Sequence, residues 1–279
     1  MSDLENKINE IINDQSKFQY DELEKIYSEF LGKLNTGEIR SAEPDGNGGW
    51  KVNKWIKQGI LSIFRHGKNR QMKFNEGFSY FDKHTLDVHQ FSIEDDVRIV
   101  PGGSSIRNGC YVAKGVICMP PMYINIGSYV DSGTMIDSHA LVGTCAQVGK
   151  RVHVSAAAQI GGVLEPAGSR PVIVEDDVLI GGNTGIYEGT LVRKRAVLAS
   201  GVVLTGSTRI YDLVNNCIIK SSSENPLEIP EGAVVVNGAR LIDSPFAKEH
   251  GLSLSSPMII KYRDEKTDAK TALEVALRS

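Results

Sequence analysis

The chain has 279 residues, enough for two or three structural units at roughly 100–200 residues each. Its 31 basic residues against 34 acidic ones leave a net charge of −3, which removes the electrostatic case for a nucleic-acid or membrane-surface protein. With 41% hydrophobic and 23% charged residues it is an ordinary globular chain, and no run approaches the roughly 18–20 apolar residues of a membrane span.

The start, Met1-Ser2-Asp3-Leu4-Glu5-Asn6-Lys7, has neither the basic region nor the apolar run of a secretion signal, so the expected location is the cytoplasm. Leu4, Ile8, Ile11 and Ile12 then make one apolar helical stripe. Leu23, Ile26, Tyr27, Phe30, Leu31 and Leu34 make a longer one that ends near Gly37. Asp45-Gly46-Asn47-Gly48-Gly49 reads as a turn, and Val52, Trp55, Ile56, Ile60, Ile63 and Phe64 mark a third helix. Most of the aromatic residues fall in this first part, as a conventional globular core requires.

From Val100 to Tyr211 the composition changes. There is no Phe and no Trp, the only aromatics are Tyr111, Tyr123, Tyr129, Tyr187 and Tyr211, and 17 of the 28 glycines lie here. Such a core must be narrow and closely stacked, and a repeat of six residues accounts for it. Every sixth residue reads Val100, Ile106, Val112, Cys118, Ile124, Val130, Ile136, Val142, Val148, Val154 and Ile160. The register then jumps by 14 residues and resumes as Val174, Ile180, Ile186, Val192, Leu198, Leu204 and Ile210. Neither the helical period of 3.6 nor the strand period of 2 gives six. A β-solenoid does: each hexad is a short strand and a turn, three hexads make a coil, and eighteen hexads make about six coils around a triangular aliphatic core. The period does not fix the hand of the coil.

The jump holds Gly161-Gly162-Val163-Leu164-Glu165-Pro166-Ala167-Gly168-Ser169-Arg170-Pro171, whose glycines and prolines predict a loop extruded from the solenoid. Extruded loops on rigid scaffolds commonly carry function. Beyond the solenoid, Ser256-Pro257-Met258-Ile259-Ile260-Lys261-Tyr262 reads as a strand and residues 267–278 as a terminal helix. The four cysteines, at 110, 118, 145 and 217, include no Cys-x-x-Cys pair, so they read as buried small hydrophobes rather than disulfides or a zinc site.

Hexapeptide solenoids are typical of acyltransferases that use a coenzyme A or carrier-protein thioester. Within that superfamily the chain resembles the tetrahydrodipicolinate N-succinyltransferase family. The resemblance rests on Tyr80-Phe81-Asp82-Lys83, on the run from Tyr123 to Asp137, and on Cys145-Ala146-Gln147-Val148-Gly149-Lys150, Gly161-Gly162-Val163-Leu164-Glu165-Pro166 and Ser207-Thr208-Arg209-Ile210-Tyr211-Asp212. It implies a left-handed parallel β-helix over residues 96–215 with the extruded loop at 161–173, a helical domain at 1–95 and a strand and helix extension at 216–279. It also implies a homotrimer with active sites between subunits, and succinyl transfer from succinyl-CoA to the amine of a cyclic or ring-opened amino dicarboxylate.

On matching positions, Arg98 would grip an acceptor carboxylate, a role that suits a bidentate guanidinium. Asp137 would bond the amine and take its proton as nitrogen attacks the thioester. Such chemistry needs a base and oxyanion donors but no metal. Glu165 is a further substrate-binding candidate and Glu188 a second catalytic one. Small residues at Ala199 and Gly201, with Thr205, would line a groove for an extended coenzyme A, and Arg209 or Lys220 would meet its phosphates. Two departures from the family pattern stand beside the expected acceptor pocket. His139 replaces a common Trp, and Gly185 stands where an acid is common. An acetyl-CoA-using relative with a similar amino dicarboxylate acceptor therefore stays open, as in tabtoxin-like antibiotic synthesis. A histidine-based acyltransferase would use His139 or His153, and a solenoid carbonic anhydrase would need three metal-binding histidines where the solenoid has two. A non-catalytic scaffold would have little use for the loop or the appended domains.

Overall fold

The computed structural model describes residues 2–75, 77–222, 225–264, 266 and 268. The terminal helix expected over 267–278 lies, apart from Asp268, outside the described residues.

The three predicted N-terminal helices are α1 (Asp3–Asn13), α2 (Tyr20–Asn35) and α3 (Lys54–His66). Ser2 begins α1 by accepting the Glu5 N–H at 3.1 Å, satisfying one of the orphan donors of its first turn. The stripes Leu4/Ile8/Ile11, Leu23/Ile26/Tyr27/Phe30 and Ile56/Ile60/Ile63 meet in one core, which also takes in Ile126 and Cys145 of the solenoid. The helices are thus packed onto the coils and share a core with them. Gly59 lets α3 pack closely on α2, because a Cβ there would stand 2.8 Å from the Phe30 ring.

The turn at 45–49 closes a hairpin of β1 (Ala42–Pro44) and β2 (Trp50–Val52). A second hairpin, β3 (Asn69–Asn75) with β4 (Phe78–Lys83), was not legible as strands. Phe78, Tyr80 and Phe81 are all about half exposed or more, so neither face carries the buried alternation that marks a strand.

The solenoid is the expected β-helix, built as three walls of parallel two-residue strands. The first wall runs Arg98–Ile99, Ile117–Cys118, Met135–Ile136, His153–Val154, Leu179–Ile180 and Val197–Leu198. The second runs from Ser105–Ile106 through Leu141–Val142 and Gly185–Ile186 to Val203–Leu204. The third runs from Tyr111–Val112 through Gln147–Val148 and Leu191–Val192 to Glu228–Ile229. Ile124, Val130, Ile136, Val142, Val148, Val154 and Ile160 are all fully buried, each stacked on the equivalent residue one coil away. The corners turn through left-handed residues: His139, Ala157, Asn183 and Gly201 have φ of 62, 58, 57 and 76°. Glycine is frequent here because the corner conformation favours it.

Two expected hexads are displaced. Ile99, not Val100, pairs with Cys118, so the first coil holds one extra residue, absorbed in the Pro101-Gly102-Gly103 corner. Ile210 does not take the next place on the third wall. It begins a strand (Ile210–Asp212) that pairs with Cys217–Ile219 and with Met258–Tyr262, while Glu228–Ile229 fills the wall. Ala233–Val236 continues the first wall and pairs antiparallel with Met258–Tyr262. This arrangement covers the end of the coils, where an open edge would otherwise expose backbone donors and acceptors.

Three of the four thiols are buried, but Cys217 is exposed on the terminal hairpin, unlike the expectation for all four. Burial pushes the Cys118 and Cys145 thiols up to about 12, so neither is a nucleophile at neutral pH. Among the described residues no helix is long and apolar enough to cross a membrane.

Candidate functional site

The outward row of the third wall is covered by the N-terminal part of the chain. Ala42 and Trp50 pack on Ile173 and Leu191, and the Arg40 guanidinium stacks 3.6 Å from the Tyr129 ring centroid. Apart from the coils under the helices, where Ile126 and Cys145 are buried, the second wall and the two edges beside it are accessible, and the predicted site residues other than Arg98 fall along or beside them.

The edge between the first and second walls carries Asp137, Ser155, Gly181 and Ala199 in one column, since Ile136, Val154, Ile180 and Leu198 pair in succession. At about 4.8 Å per coil, Asp137 and Ala199 lie roughly 14 Å apart along the edge. The Asp137 side chain is partly exposed. Its Oδ1 accepts the Ser138 N–H at 2.7 Å, and its Oδ2 lies 3.9 Å from His153 Nε2. His139 stands exposed at the same corner. Beyond Asp137, the backbone N–H groups of Ala156, Gly182 and Ser200 have no acceptor among the described residues. On the edge between the third and first walls, the corresponding N–H groups of Ser132, Lys150 and Lys194 are capped by Asp131, Asp176 and Glu175, while those of Lys114 and Asp176 have no acceptor among the described residues. Gly201 and Ala199 flank the uncapped Ser200, and Asn237 Nδ2 donates to the Ser200 carbonyl at 3.0 Å.

The edge between the second and third walls is where the loop emerges. A cleft of about 1090 Å³ opens there, lined by Glu165, Ser169, Arg170, Tyr187, Glu188 and Ser221 among others. Arg170 Nε donates to the Gly189 carbonyl at 3.0 Å and Nη2 to the Leu227 carbonyl at 3.3 Å, tying the returning loop to the coil. Lys57, fully buried on α3, donates to the Ser169 carbonyl at 2.5 Å, and burial lowers its pKa. Glu165 is exposed on the loop. Glu188 Oε2 accepts the Gly206 N–H at 2.7 Å, so this carboxylate already serves as a corner cap. Tyr187 folds back over the second wall: a Cβ on Gly185 would stand 2.5 Å from its Cε2 and 3.0 Å from its hydroxyl oxygen. A larger residue at 185 would displace that ring.

Arg98 is exposed on the first wall, two coils before Met135, hence roughly 10 Å from the Asp137 coil. Thr205 belongs to the loop-bearing edge, where its N–H donates to Thr208 Oγ1 at 2.9 Å. Arg209 and Lys220 are exposed at one end of the Ile210–Asp212/Cys217–Ile219 hairpin, beside the contact of Ser221 with the Gly206 carbonyl. Ala199 and Gly201 are therefore separated from Thr205, Arg209 and Lys220 by the second wall, and these five do not line one groove of a single chain. Asp137 and Glu188 are divided in the same way. Sequence reasoning missed the uncapped amides and the Tyr187 ring. The signal for the amides was available: Ser155-Ala156-Ala157, Gly181-Gly182 and Ala199-Ser200-Gly201 recur on one edge without an acidic side chain to cap them.

The N-terminal segment 3–65 matches the family model for the tetrahydrodipicolinate N-succinyltransferase N-terminal region, and 171–206 matches the hexapeptide repeat of succinyl-transferases. A 2,3,4,5-tetrahydropyridine-2,6-dicarboxylate N-succinyltransferase of Nitrobacter winogradskyi is 40% identical over 264 residues, covering 92% of this chain and 90% of its own. The enzyme of the same name from Neisseria meningitidis serogroup C is 43% identical over 263 residues with the same two coverages. That from Bradyrhizobium diazoefficiens is 39% identical over 263 residues, again covering 92% and 90%. Similarity that runs through helices, coils and extension alike makes this chain a member of the tetrahydrodipicolinate N-succinyltransferase family, a hexapeptide-repeat acyltransferase.

Proposed function

We propose that the protein transfers a succinyl group from succinyl-CoA to the amine of tetrahydrodipicolinate, as L-2-amino-6-oxopimelate, in lysine and diaminopimelate synthesis. The observation that carries this reading is end-to-end similarity, at about 40% identity, to enzymes bearing that name. In this reading Asp137 accepts a proton from the acceptor amine. A C–N bond forms at the thioester carbonyl, the C–S bond breaks, and the thiol leaves with a proton as free coenzyme A. Arg98 holds an acceptor carboxylate. The pantetheine arm lies along the first edge, where the open N–H groups of Ala156, Gly182 and Ser200 meet its amide carbonyls and the small Ala199 and Gly201 permit close approach.

The acceptor cleft with Glu165 and Glu188, and the Thr205, Arg209 and Lys220 group, belong to the opposite edge of the second wall. They join the same ligand when contributed by a neighbouring subunit, which supports a homotrimer with shared sites. The outward row of the first wall carries Ile117, Met135, Leu179 and Val197, each partly exposed, with Arg98 before them and His153 between them, and such a largely apolar row suits a wall packed on its neighbour. Light scattering at micromolar concentration should return three times the 30.4 kDa chain mass, and a mass near 30.4 kDa would refute the shared site.

The activity is tested by offering succinyl-CoA and acetyl-CoA in turn with tetrahydrodipicolinate or 2-aminopimelate while free thiol is recorded. Preference for succinyl-CoA supports the proposal. Preference for acetyl-CoA would favour the acetyl-transferring reading, for which the departures at His139 and Gly185 are the specific observation.

A further inference from the structure

Three side chains of the N-terminal domain, none needed for acyl transfer, converge at the base of the second hairpin. Glu24 lies on α2, His66 ends α3, and His84 follows β4. Glu24 Oε1 is 2.5 Å from His66 Nε2 and 3.1 Å from His84 Nε2. The His66 side chain is 5% exposed, that of His84 19% and that of Glu24 35%, so the cluster is sheltered but reachable. Donor atoms of all three lie within 4.8 Å of one another.

We propose that Glu24, His66 and His84 bind one divalent transition-metal ion, zinc above all, which clamps the β3–β4 hairpin to the helices. Two imidazoles are borderline donors, and with a single carboxylate they suit zinc, cobalt or nickel rather than calcium or magnesium, which take oxygen ligands throughout. Tetrahedral zinc with bonds of about 2.0–2.1 Å sets its ligands roughly 3.3 Å apart. The Glu24–His84 separation of 3.1 Å already fits, and the 2.5 Å Glu24–His66 contact needs to open by somewhat less than an ångström.

The distal nitrogens are prepared for the change. His84 Nδ1 lies 3.0 Å from the Lys68 N–H and 3.3 Å from the Lys68 carbonyl, so it can accept from one or donate to the other. Without metal, the Nε2–H of each histidine donates to Glu24. With metal, the His84 proton moves to Nδ1 and donates to the Lys68 carbonyl, which frees the Nε2 lone pair. His66 Nδ1 faces the Gln15 side-chain amide at 3.3 Å, whose oxygen accepts in the same way once the amide turns. The Tyr20 hydroxyl sits 3.2 Å from His84 Nε2. A water would complete the fourth position beside it. The clamp would act on the segment whose Asp82 pairs with Arg107 at the start of the solenoid and whose Lys83 donates to the Gly67 carbonyl at 2.9 Å.

The full-length protein, stripped with a chelator and dialysed, is titrated with cobalt(II) and then zinc. The expected result is one cobalt per chain with the visible d–d bands of a tetrahedral ion, displaced by zinc. Zinc at about 100 times its Kd should also raise Tm by roughly 5 °C. Glu24→Gln keeps a hydrogen-bond acceptor for both histidines but is a poor ligand. It should retain the Tm of the chelated wild type, lose the zinc-induced rise and weaken cobalt binding at least tenfold. His84→Asn should lose the bands as well. Absence of tetrahedral bands in the wild type would overturn the proposal. So would bands and a Tm rise that persist in both variants, since the metal would then sit elsewhere, for example on the exposed Cys217.

Discussion

Replacing Asp137 with Asn separates the proposed proton acceptor from its structural surroundings. Asn keeps the size of the side chain and an oxygen that can still accept the Ser138 N–H, now at 2.7 Å, so the corner is retained. What is lost structurally is the 3.9 Å approach to His153, present as an ion pair only while that histidine is protonated. A partly exposed pair of this kind contributes about 0–1 kcal/mol, so Tm should move by no more than about 2–4 °C. What is lost chemically is the ability to take a proton from the attacking amine. Loss of a general base typically lowers the rate about 10²–10⁴-fold, or roughly 2.7–5.4 kcal/mol of barrier at 1.36 kcal/mol per decade. Thiol release under saturating succinyl-CoA and 2-aminopimelate measures kcat, and calorimetric titration shows whether acyl-CoA binding is preserved. A kcat within about threefold of wild type would refute the assignment and turn attention to His139, Glu165 or Glu188.

Gly201→Trp should raise the KM for acyl-CoA at least roughly tenfold with kcat little changed, because the ring would cover the edge beside the Ser200 amide. Its φ of 76° adds a strain of about 1–2 kcal/mol, and a normal KM would move the groove elsewhere. Lys57→Met removes a charge whose pKa burial lowers from 10.5. In the wild type the penalty is full at low pH and fades as pH rises through the folded pKa toward 10.5, so stability of the wild type relative to the variant should increase over that range. A difference in unfolding free energy that stays constant with pH would contradict it. Tyr262→Phe deletes the 2.7 Å bond to the buried Asp212 carboxylate, at a cost of about 1.5–3 kcal/mol. Burial alone would raise Asp212, but bonds from Tyr262 and Asn215 outweigh it and hold the carboxyl below its usual 3.8. That stability is present above 3.8 and lost as pH falls through the folded value, so the variant should unfold at higher pH on acidification, and an unchanged acid profile would refute the reading.

The solenoid was legible because each inward residue repeats the same environment: Ile136 stacks between Cys118 and Val154, and that regularity is written as a period of six. The displaced hexads fail at places where local sequence still obeys the period. Val100 is as apolar as its successors, and only the extra residue in the first corner moves Ile99 into its place. Ile210 is fully buried as predicted, but in a strand that pairs with 258–262 to close the coils, a pairing of Tyr211 with Met258 47 residues away that no period encodes. The β3–β4 hairpin lacks a buried face and so lacks the pattern.

The candidate site was legible only as far as the columns are. Hexad counting puts Asp137 and Ala199 on one edge, and Glu188 and Thr205 on another, yet nothing in the spacing says which edges face each other across two chains. Glu24, His66 and His84 escaped notice because they belong to three elements without a motif spacing and lie outside the solenoid, whose histidines alone were weighed as ligands.

Fold and proposed activity share one geometric cause. Every left-handed corner turns a backbone N–H outward, and the chain must satisfy it or leave it to solvent or ligand. Asp131, Asp137, Glu175, Asp176 and Glu188 satisfy five of these groups with carboxylates. On the first edge, the three corners after Asp137 carry only Ser, Ala, Gly, Asn and Thr side chains apart from Val202, and Ala156, Gly182 and Ser200 stay open there. Three donors at about 4.8 Å spacing, ending at a carboxylate, suit an extended amide-bearing arm whose thioester must reach a base. Adding acidic side chains to cap those corners would satisfy the backbone more fully. It would also place like charge along the path of a polyanionic thioester, so an acyl-CoA site on this edge requires that the capping stop where it does.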